Sequence, residues 1–360
     1  MNVPKKIIIT RIILLCACLF LIYYVLEYQE PYKRNIIGDQ LVNTHTTLFP
    51  RISLVIPIRK HVKYWPALVP LTPFKTSLLI VPYEGILPNF LLYKPDKLSP
   101  IQNQADCGSC FAFSACSVLA DRMAIKSRGV FNQNLSVQQL LSCSNRGGCD
   151  GGSPEEALLW ISQTGTLLGT EQAFPYVQGS GGWVNTPCPK KLKGIKVGVR
   201  PQSVHSIVEF IPEDGYDTDI LAQNIKNMKA ELMTGGPFYC ALTVYDDLFT
   251  FTGSEVYVKQ KGSSLVGGHA IEIIGYCERG VDKRKGWEKP YWVCRNSWAE
   301  NWPTNSPEAG YFAVEMGTNM CGIESRCGFG EPELFTPVQL APSDLPLTDF
   351  IYTDIRDYVV

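Results

Sequence analysis

A cysteine that opens a long apolar run constrains this chain more than any other feature. The stretch PIQNQADCGSCFAFSA runs from Pro100 to Ala115 and sets Gln104 six residues ahead of Cys110. After Cys110, the apolar residues Phe111, Ala112, Phe113, Ala115, Val118, Leu119 and Met123 recur at helical spacing, which predicts a helix beginning at the cysteine. Gly129 stands where such a helix would be capped. A thiol at a helix N-terminus meets unpaired backbone N–H groups and the positive end of the helix dipole. Both favour the thiolate, and a histidine partner lowers a cysteine pKa further. The arrangement suits a nucleophile better than a structural cross-link.

The partner is to be found among only four histidines: His45, His61, His205 and His269. His269 lies in LVGGHAIEIIGY, where paired glycines introduce an alternating apolar strand. Asn296 follows a second strand-like run in YWVCRNSWAENW. With these residues the chemistry can be built. The His269 imidazole takes the Cys110 proton, Asn296 holds the ring through its other nitrogen, and the thiolate attacks a carbonyl. The oxyanion then needs donors set in advance, for which the Gln104 side-chain amide and the Cys110 backbone N–H are candidates; one such donor is typically worth ~2.7–4 kcal/mol. Each residue also has a plainer reading. Cys107 and Cys110 form a C-x-x-C pair of the kind used in thiol–disulfide exchange. His269 alone would be a satisfied core histidine, Asn296 a strand-end turn residue and Gln104 a loop residue. His205, in a polar loop with no partner motif, is read as structural. No paired C-x-x-C and H-x-x-x-H spacing suggests zinc, so no metal site is assigned.

The CGSC string followed by an aromatic residue resembles the active-site segment of the papain-like cysteine proteases, in particular their cathepsin B branch. The order Cys110, His269, Asn296 is similar to that family's triad, although 159 residues separate the first two, against a usual roughly 130–150. VLADRMAIKSRG, LSVQQLLSC, CDGGSPEEAL, GGPFYCALTVYDDLFTFTGSEVYV and CGIES also resemble that branch, in the right order, from about Leu87 to Gly330. The resemblance implies an endopeptidase with an acyl-enzyme intermediate, without metal or organic cofactor, acting on peptides or proteins and open to cystatin-type inhibitors. It implies that Trp298 shields the His–Asn contact. It further implies that Gly151, Gly152, Pro154, Ala241 and Arg326 line the substrate cleft, and that Cys107 pairs with Cys149 and Cys143 with Cys188.

The chain also departs from that pattern. Phe111 replaces the tryptophan that usually follows the nucleophile. Arg326, five residues past Cys321, stands where the branch carries a glutamate at the base of the S2 pocket, and predicts a P2 preference for acidic or neutral residues. Between Cys188 and Cys240 there is neither a His-His pair nor a cysteine, so the occluding loop that makes a dipeptidyl carboxypeptidase is expected to be absent. Two other readings compete: a catalytically silent papain-fold binding protein, which the Phe111 and Arg326 changes would mark, and a C-x-x-C oxidoreductase.

The chain has 360 residues, 45% hydrophobic and 19% charged, with a formal net charge of −1, which leaves no electrostatic footprint for nucleic acid. Residues 7–26 are almost wholly apolar, interrupted by Arg11, and follow Lys5 and Lys6, as in a secretory signal or an uncleaved signal anchor. No small-x-small cleavage site follows, which favours an anchor with a cytosolic N-terminus. Either reading puts the catalytic part in a lumenal or extracellular compartment, as a secreted, lysosome-like or membrane-anchored enzyme. Of thirteen cysteines, Cys16 and Cys18 lie in the apolar run. Cys116, Cys240, Cys277, Cys294, Cys321 and Cys327 are left without assigned partners. Ser136 and Gln139 form a capping box for the next helix, a better reading than a glycosylation sequon at Asn134.

The expected fold is α+β and papain-like, with two lobes and a cleft between them. A helical lobe spans about 87–206; a β-barrel-like lobe spans about 207–330, with strand cues in FYCALTVY, AIEIIGY, YWVCR and YFAVEM. Residues 27–86, punctuated by Pro50, Pro57, Pro66, Pro70, Pro73 and Pro82, show no long helical prodomain and leave a short blocking segment or a stalk. LPNF, from Leu87, resembles a mature start within a catalytic domain of 87–336. Residues 337–360 form an extension with no assigned role.

Overall fold

The computed structural model describes residues 35–37, 40–42, 75–144, 148–178, 185–212, 217–335 and 346–358. The apolar N-terminal run and most of the segment before Leu87 lie outside them. Among the described residues, no helix is long and apolar enough to cross a membrane. The chain divides into two compact units, 1–61 and 62–360. In the first, β1 (Asn35–Ile37) pairs antiparallel with β2 (Gln40–Val42).

The second unit is a mixed α+β structure organised around α1 (Cys110–Lys126), whose residues from Cys110 to Ile125 are all buried. A helix apolar on every side belongs in a core rather than at a surface. It ends at Lys126; Arg128 and Gly129 both take positive φ, and the Gly129 N–H returns to the Ala124 carbonyl at 2.8 Å. Three further helices follow it among the described residues. These are α2 (Val137–Ser144), α3 (Pro154–Thr164) and α4 (Thr218–Thr234). Ser136 accepts the Gln139 N–H at 3.0 Å, but the Gln139 side chain turns away to the Leu167 carbonyl and the Gly169 N–H, so the expected capping box is half formed. Ser153 caps α3, with Pro154 at its first position and Gly165 in the left-handed region at its end. Asp217 caps α4.

Nine strands form one sheet with α1 against it. They are β3 (Phe90–Tyr93), β4 (Leu168–Gly169), β5 (Lys196–Ser206), β6 (Phe238–Tyr245), β7 (Leu265–Cys277), β8 (Tyr291–Arg295), β9 (Tyr311–Glu315), β10 (Cys327–Phe335) and β11 (Ile351–Tyr352). The main order is β11-β3-β7-β6-β10-β5-β4, with β8 on the other edge of β7 and β9 beyond it. One edge of β7 serves β6 along its first part and β3 along its last. The changeover needs a glycine: a Cβ on Gly275 would lie 2.4 Å from the Leu91 carbonyl oxygen. Because β6 and β3 share one edge of β7, the strands diverge there, and the sheet stays open instead of closing into the expected barrel. β3, β4 and β5 come from the segment expected to be helical, and His205 lies on β5 against Phe329, not in a loop. The C-terminal extension supplies β11, an edge strand on β3.

Two buried guanidinium groups tie α1 into this frame. Arg122 donates to Glu231 on α4 at 2.7 Å and to Glu331 on β10 at 2.5 Å, with its guanidinium 4.0 Å from the Phe329 ring centre. Arg295, at the end of β8, is paired with Asp121.

Candidate active site

Cys110 is the first residue of α1, fully buried, with Ser109 before it as N-cap. The preceding turn is held by the Cys107–Cys149 disulfide. Gly108 is required there: its N–H donates to the Cys149 carbonyl at 3.0 Å, and a Cβ would come within 2.3 Å of that oxygen. Cys143 is joined to Cys188, and Cys240 to Cys327 across the β6–β10 ladder, two of the six cysteines that the sequence left unassigned. Since Cys107 is bonded elsewhere, Cys110 is a thiol and the C-x-x-C pair is not a redox couple. Burial pushes the thiols of Cys116 and Cys294 far up and that of Cys277 up to about 11, so none of these three is a thiolate near neutral pH.

The backbone N–H of Ala270 donates to the Cys110 sulfur at 3.2 Å, which sets the sulfur beside the strand that carries His269. The His269 Nε2 lies 2.8 Å from the Asn296 Oδ1. That same Oδ1 accepts the Ser297 N–H at 2.8 Å, which identifies it as the amide oxygen. The ring nitrogen facing it is therefore the donor, and the neutral imidazole carries its lone pair on Nδ1, which makes no hydrogen bond among the described residues. Burial lowers the His269 pKa from 6.5 to about 4, against a smaller upward pull from Asn296. The Trp298 ring covers the imidazole at 4.8 Å and is itself stacked on Phe249 at 5.4 Å and met edge-on by Trp302 at 4.7 Å.

Gln104 is buried beside the same turn. Its Nε2 donates to the Cys107 carbonyl at 2.9 Å, and its Oε1 accepts the Ser297 hydroxyl at 2.7 Å. Its backbone N–H meets the Ser297 carbonyl at 2.8 Å. Two contributors have no signal in the sequence. Ser297 orients both the Gln104 amide and the Asn296 oxygen. The Tyr176 hydroxyl bonds the Gln104 carbonyl at 2.9 Å and the Ser109 hydroxyl at 2.7 Å, fixing the loop ahead of the cysteine.

The residues assigned to the cleft divide into groups. Ala241 packs with Cys110 and Ala270, and its N–H donates to the Arg326 carbonyl at 2.9 Å. The Arg326 guanidinium is buried, 5.3 Å from the Phe210 ring centre and close against Gly322. Phe111 lies against Gly152, where a Cβ would sit 2.9 Å from the ring; Gly151 takes a φ of +98°. Pro154 starts α3. Next to it, Glu155 Oε1 accepts from the Lys75 N–H, the Thr76 N–H and the Thr76 hydroxyl at 2.7–2.8 Å. This draws residues 75–81 along the end of β5 and on to α4. There Leu79 N–H meets the Ser206 carbonyl at 2.8 Å, and Asn227 bonds both Leu79 and Val81 at 2.7 Å. Among the described residues, no group of three His, Cys, Asp or Glu side chains converges to hold a metal ion.

The family described as papain family cysteine protease matches residues 90–330. Cathepsin B-like cysteine proteinase 5 of Caenorhabditis elegans is 33% identical over 258 residues, covering 66% of this chain and 71% of its own. The gut-specific cysteine proteinase of the same organism is 32% identical over 249 residues, covering 65% and 69%. Cathepsin B-like CP1 of Giardia intestinalis is 33% identical over 238 residues, covering 64% and 68%. Among solved structures, procathepsin B S9 of Trypanosoma congolense has a TM-score of 0.58 at 23% identity, covering 75% of this chain and 86% of that one. Procathepsin L 3 from the Tenebrio molitor larval midgut gives 0.53 at 22% identity, covering 72% and 75%. At such identities these two likenesses carry the fold.

Proposed function

Because this chain belongs to the papain family of cysteine proteases, and so is a cysteine peptidase, we propose that it is a cathepsin B-like endopeptidase working through Cys110, His269 and Asn296. The observation that carries the reading is the 2.8 Å His269–Asn296 bond on a strand whose next N–H touches the Cys110 sulfur at 3.2 Å. Asn296 holds the ring with Nδ1 as the proton acceptor. The Cys110 thiolate attacks the peptide carbonyl, and the Cys110 N–H with one Gln104 amide proton receives the oxyanion. Protonated His269 delivers its proton to the leaving amine, and water, deprotonated by the same ring, releases the acyl group.

The remaining assignments follow from neighbouring residues. Gly151, Gly152, Pro154, Ala241 and Arg326 form the non-primed side of the cleft, with Arg326 selecting acidic or neutral P2 residues. Trp298 keeps water from the His–Asn bond. Residues 75–86 are the last part of an inhibitory pro-segment held by Glu155 and Asn227, so the chain is made as a zymogen, and cystatin-type inhibitors would use the same cleft. The three disulfides suit a secreted or lysosome-like compartment.

Internally quenched peptides blocked at both ends and varied at P2 test this reading. Expected are internal cleavage that is lost in Cys110→Ala and faster turnover of P2 glutamate or leucine than of P2 arginine. Release of C-terminal dipeptides from a companion peptide with a free C-terminus, with no cleavage of the blocked peptides, would overturn the endopeptidase reading, and a preference for P2 arginine would overturn the role of Arg326.

A further inference from the structure

The four residues assigned to catalysis sit on four separate pieces of chain: Cys110 opens α1, His269 lies in β7, Asn296 follows β8, and Gln104 belongs to the loop after Pro100. One buried guanidinium touches all four pieces. Arg295 Nη1 pairs with Asp121 on α1 and donates to the Ser99 hydroxyl at 3.0 Å. Its Nη2 donates to the Pro100 carbonyl at 2.7 Å, four residues before Gln104. Its Nη1 lies 3.5 Å from Oε2 of Glu272, three residues beyond His269 and directly opposite Arg295 in the β7–β8 register. Arg295 itself immediately precedes Asn296. Ser99 closes the arrangement, its N–H and hydroxyl both bonding Asp121 at 2.8 and 2.5 Å. Asp121, Glu272 and Arg295 are each at most 4% exposed.

Resting on the catalytic reading above, we infer that Arg295, bracketed by Asp121 and Glu272, is a positioning residue that registers Cys110, Gln104, His269 and Asn296 against one another. None of the three touches the reacting atoms; they act through the elements they join.

The cluster holds two carboxylates for one guanidinium in a place closed to water. An excess buried charge is costly, so one carboxyl must carry a proton. Asp121 has the close pair with Arg295 and both Ser99 donors. Among the described residues, the two Glu272 oxygens have no hydrogen bond of normal geometry, leaving Glu272 as the neutral member. Burial and the nearby Asp121 charge push its carboxyl well above the ordinary range, against a smaller downward pull from Arg295. The groups facing it are Asp121 and Ser117 from α1, Arg295 from β8, Tyr239 opposite it on β6, and Tyr311 beside Arg295 on β9. As pH rises, ionisation of Glu272 puts a second anion beside Asp121, and the register that Arg295 maintains loosens. Catalysis therefore falls as Glu272 ionises, separately from the titration of the imidazole.

The test is kcat and KM from pH 4 to 9 on processed wild type, Glu272→Gln and Arg295→Lys, with the rate of epoxide alkylation of Cys110 measured alongside. Glu272→Gln cannot ionise, and its alkaline limb is expected to move up by at least about one pH unit. Arg295→Lys cannot span the Pro100 carbonyl and Asp121 together, and should lower kcat roughly tenfold to hundredfold while KM changes little, as misplacement of reacting groups does. A Glu272→Gln profile that superimposes on wild type overturns the inference, and decides it even if Arg295→Lys fails to fold. So does an Arg295→Lys enzyme that loses only KM. A wild type whose Cys110 ignores the epoxide overturns the catalytic reading itself, which separates the two failures.

Discussion

The His269 imidazole is fully buried, and burial brings its pKa to about 4 although the Asn296 oxygen favours the charged ring. An unfolded or opened chain returns this ring to its ordinary value of 6.5. Below that pH the open form binds a proton that the closed form does not, so falling pH costs the closed form stability until about pH 4. The slope is about 1.4 kcal/mol per pH unit, reaching roughly 3 kcal/mol. Glu272 has the opposite sign: its raised carboxyl adds stability at low pH that is lost as pH rises above the ordinary carboxylate range. The two effects offset one another in the wild type, so only a difference measurement separates them. In a Cys110→Ser background, chemical denaturation with and without His269→Gln should give a stability difference that grows in favour of the glutamine variant from pH 6.5 down to 4. A pH-independent difference would contradict the buried imidazole. At this scale the sequence was most legible where a residue type has few alternative uses: one cysteine at a helix start, one histidine in a glycine-flanked strand. It was silent on Arg295, Glu272, Ser297 and Tyr176, because partners drawn from four distant segments leave no local pattern.

Among the elements, α3 and the segment ahead of Leu87 show how one side chain can hold a strip of chain. Glu155 accepts three hydrogen bonds from Lys75 and Thr76, and Asn227 holds Leu79 and Val81 farther on. Hydrogen bonds to a charged group contribute about 1.5–3 kcal/mol each at most, and their loss acts together on one short segment. Glu155→Ala should therefore expose residues 75–86 to limited proteolysis at least tenfold faster than in the wild type, and raise peptidase activity before processing. Equal cleavage rates would show that the anchor lies elsewhere. The central helix was predictable from spacing and cap, as the apolar residues after Cys110 and Gly129 beyond its end illustrate. Side chains that serve another element were not: Gln139 looked like half of a capping box because its long-range partners, Leu167 and Gly169, lie about thirty residues away.

Over the larger unit, the C-terminal tail closes one edge of the sheet. β11 pairs with β3, Phe350 is buried with its carbonyl accepting the Lys94 N–H at 2.8 Å, and Tyr358 stacks on Phe90 at 6.0 Å. A chain ending at residue 345 would lose this edge and expose apolar surface on β3. It should unfold with a stability lower by about 3–5 kcal/mol, the cost of removing a large buried aromatic, read as a lower urea midpoint. An unchanged midpoint would mean that the tail is dispensable. The tail could not be read from sequence because β11 is two residues long and its meaning comes entirely from β3. The same holds for the open sheet: β6 to β9 were recognisable one by one, whereas the branching on β7 depends on a close approach at Gly275. The account as a whole rests on Cys110 being an activated nucleophile. Processed protein should be treated with a cysteine-protease epoxide at pH 5–7, and the modified residue mapped by mass spectrometry. One label per chain on Cys110, absent in Cys110→Ala and abolished in His269→Ala, is the predicted result; folded, processed protein that takes up no label would contradict it.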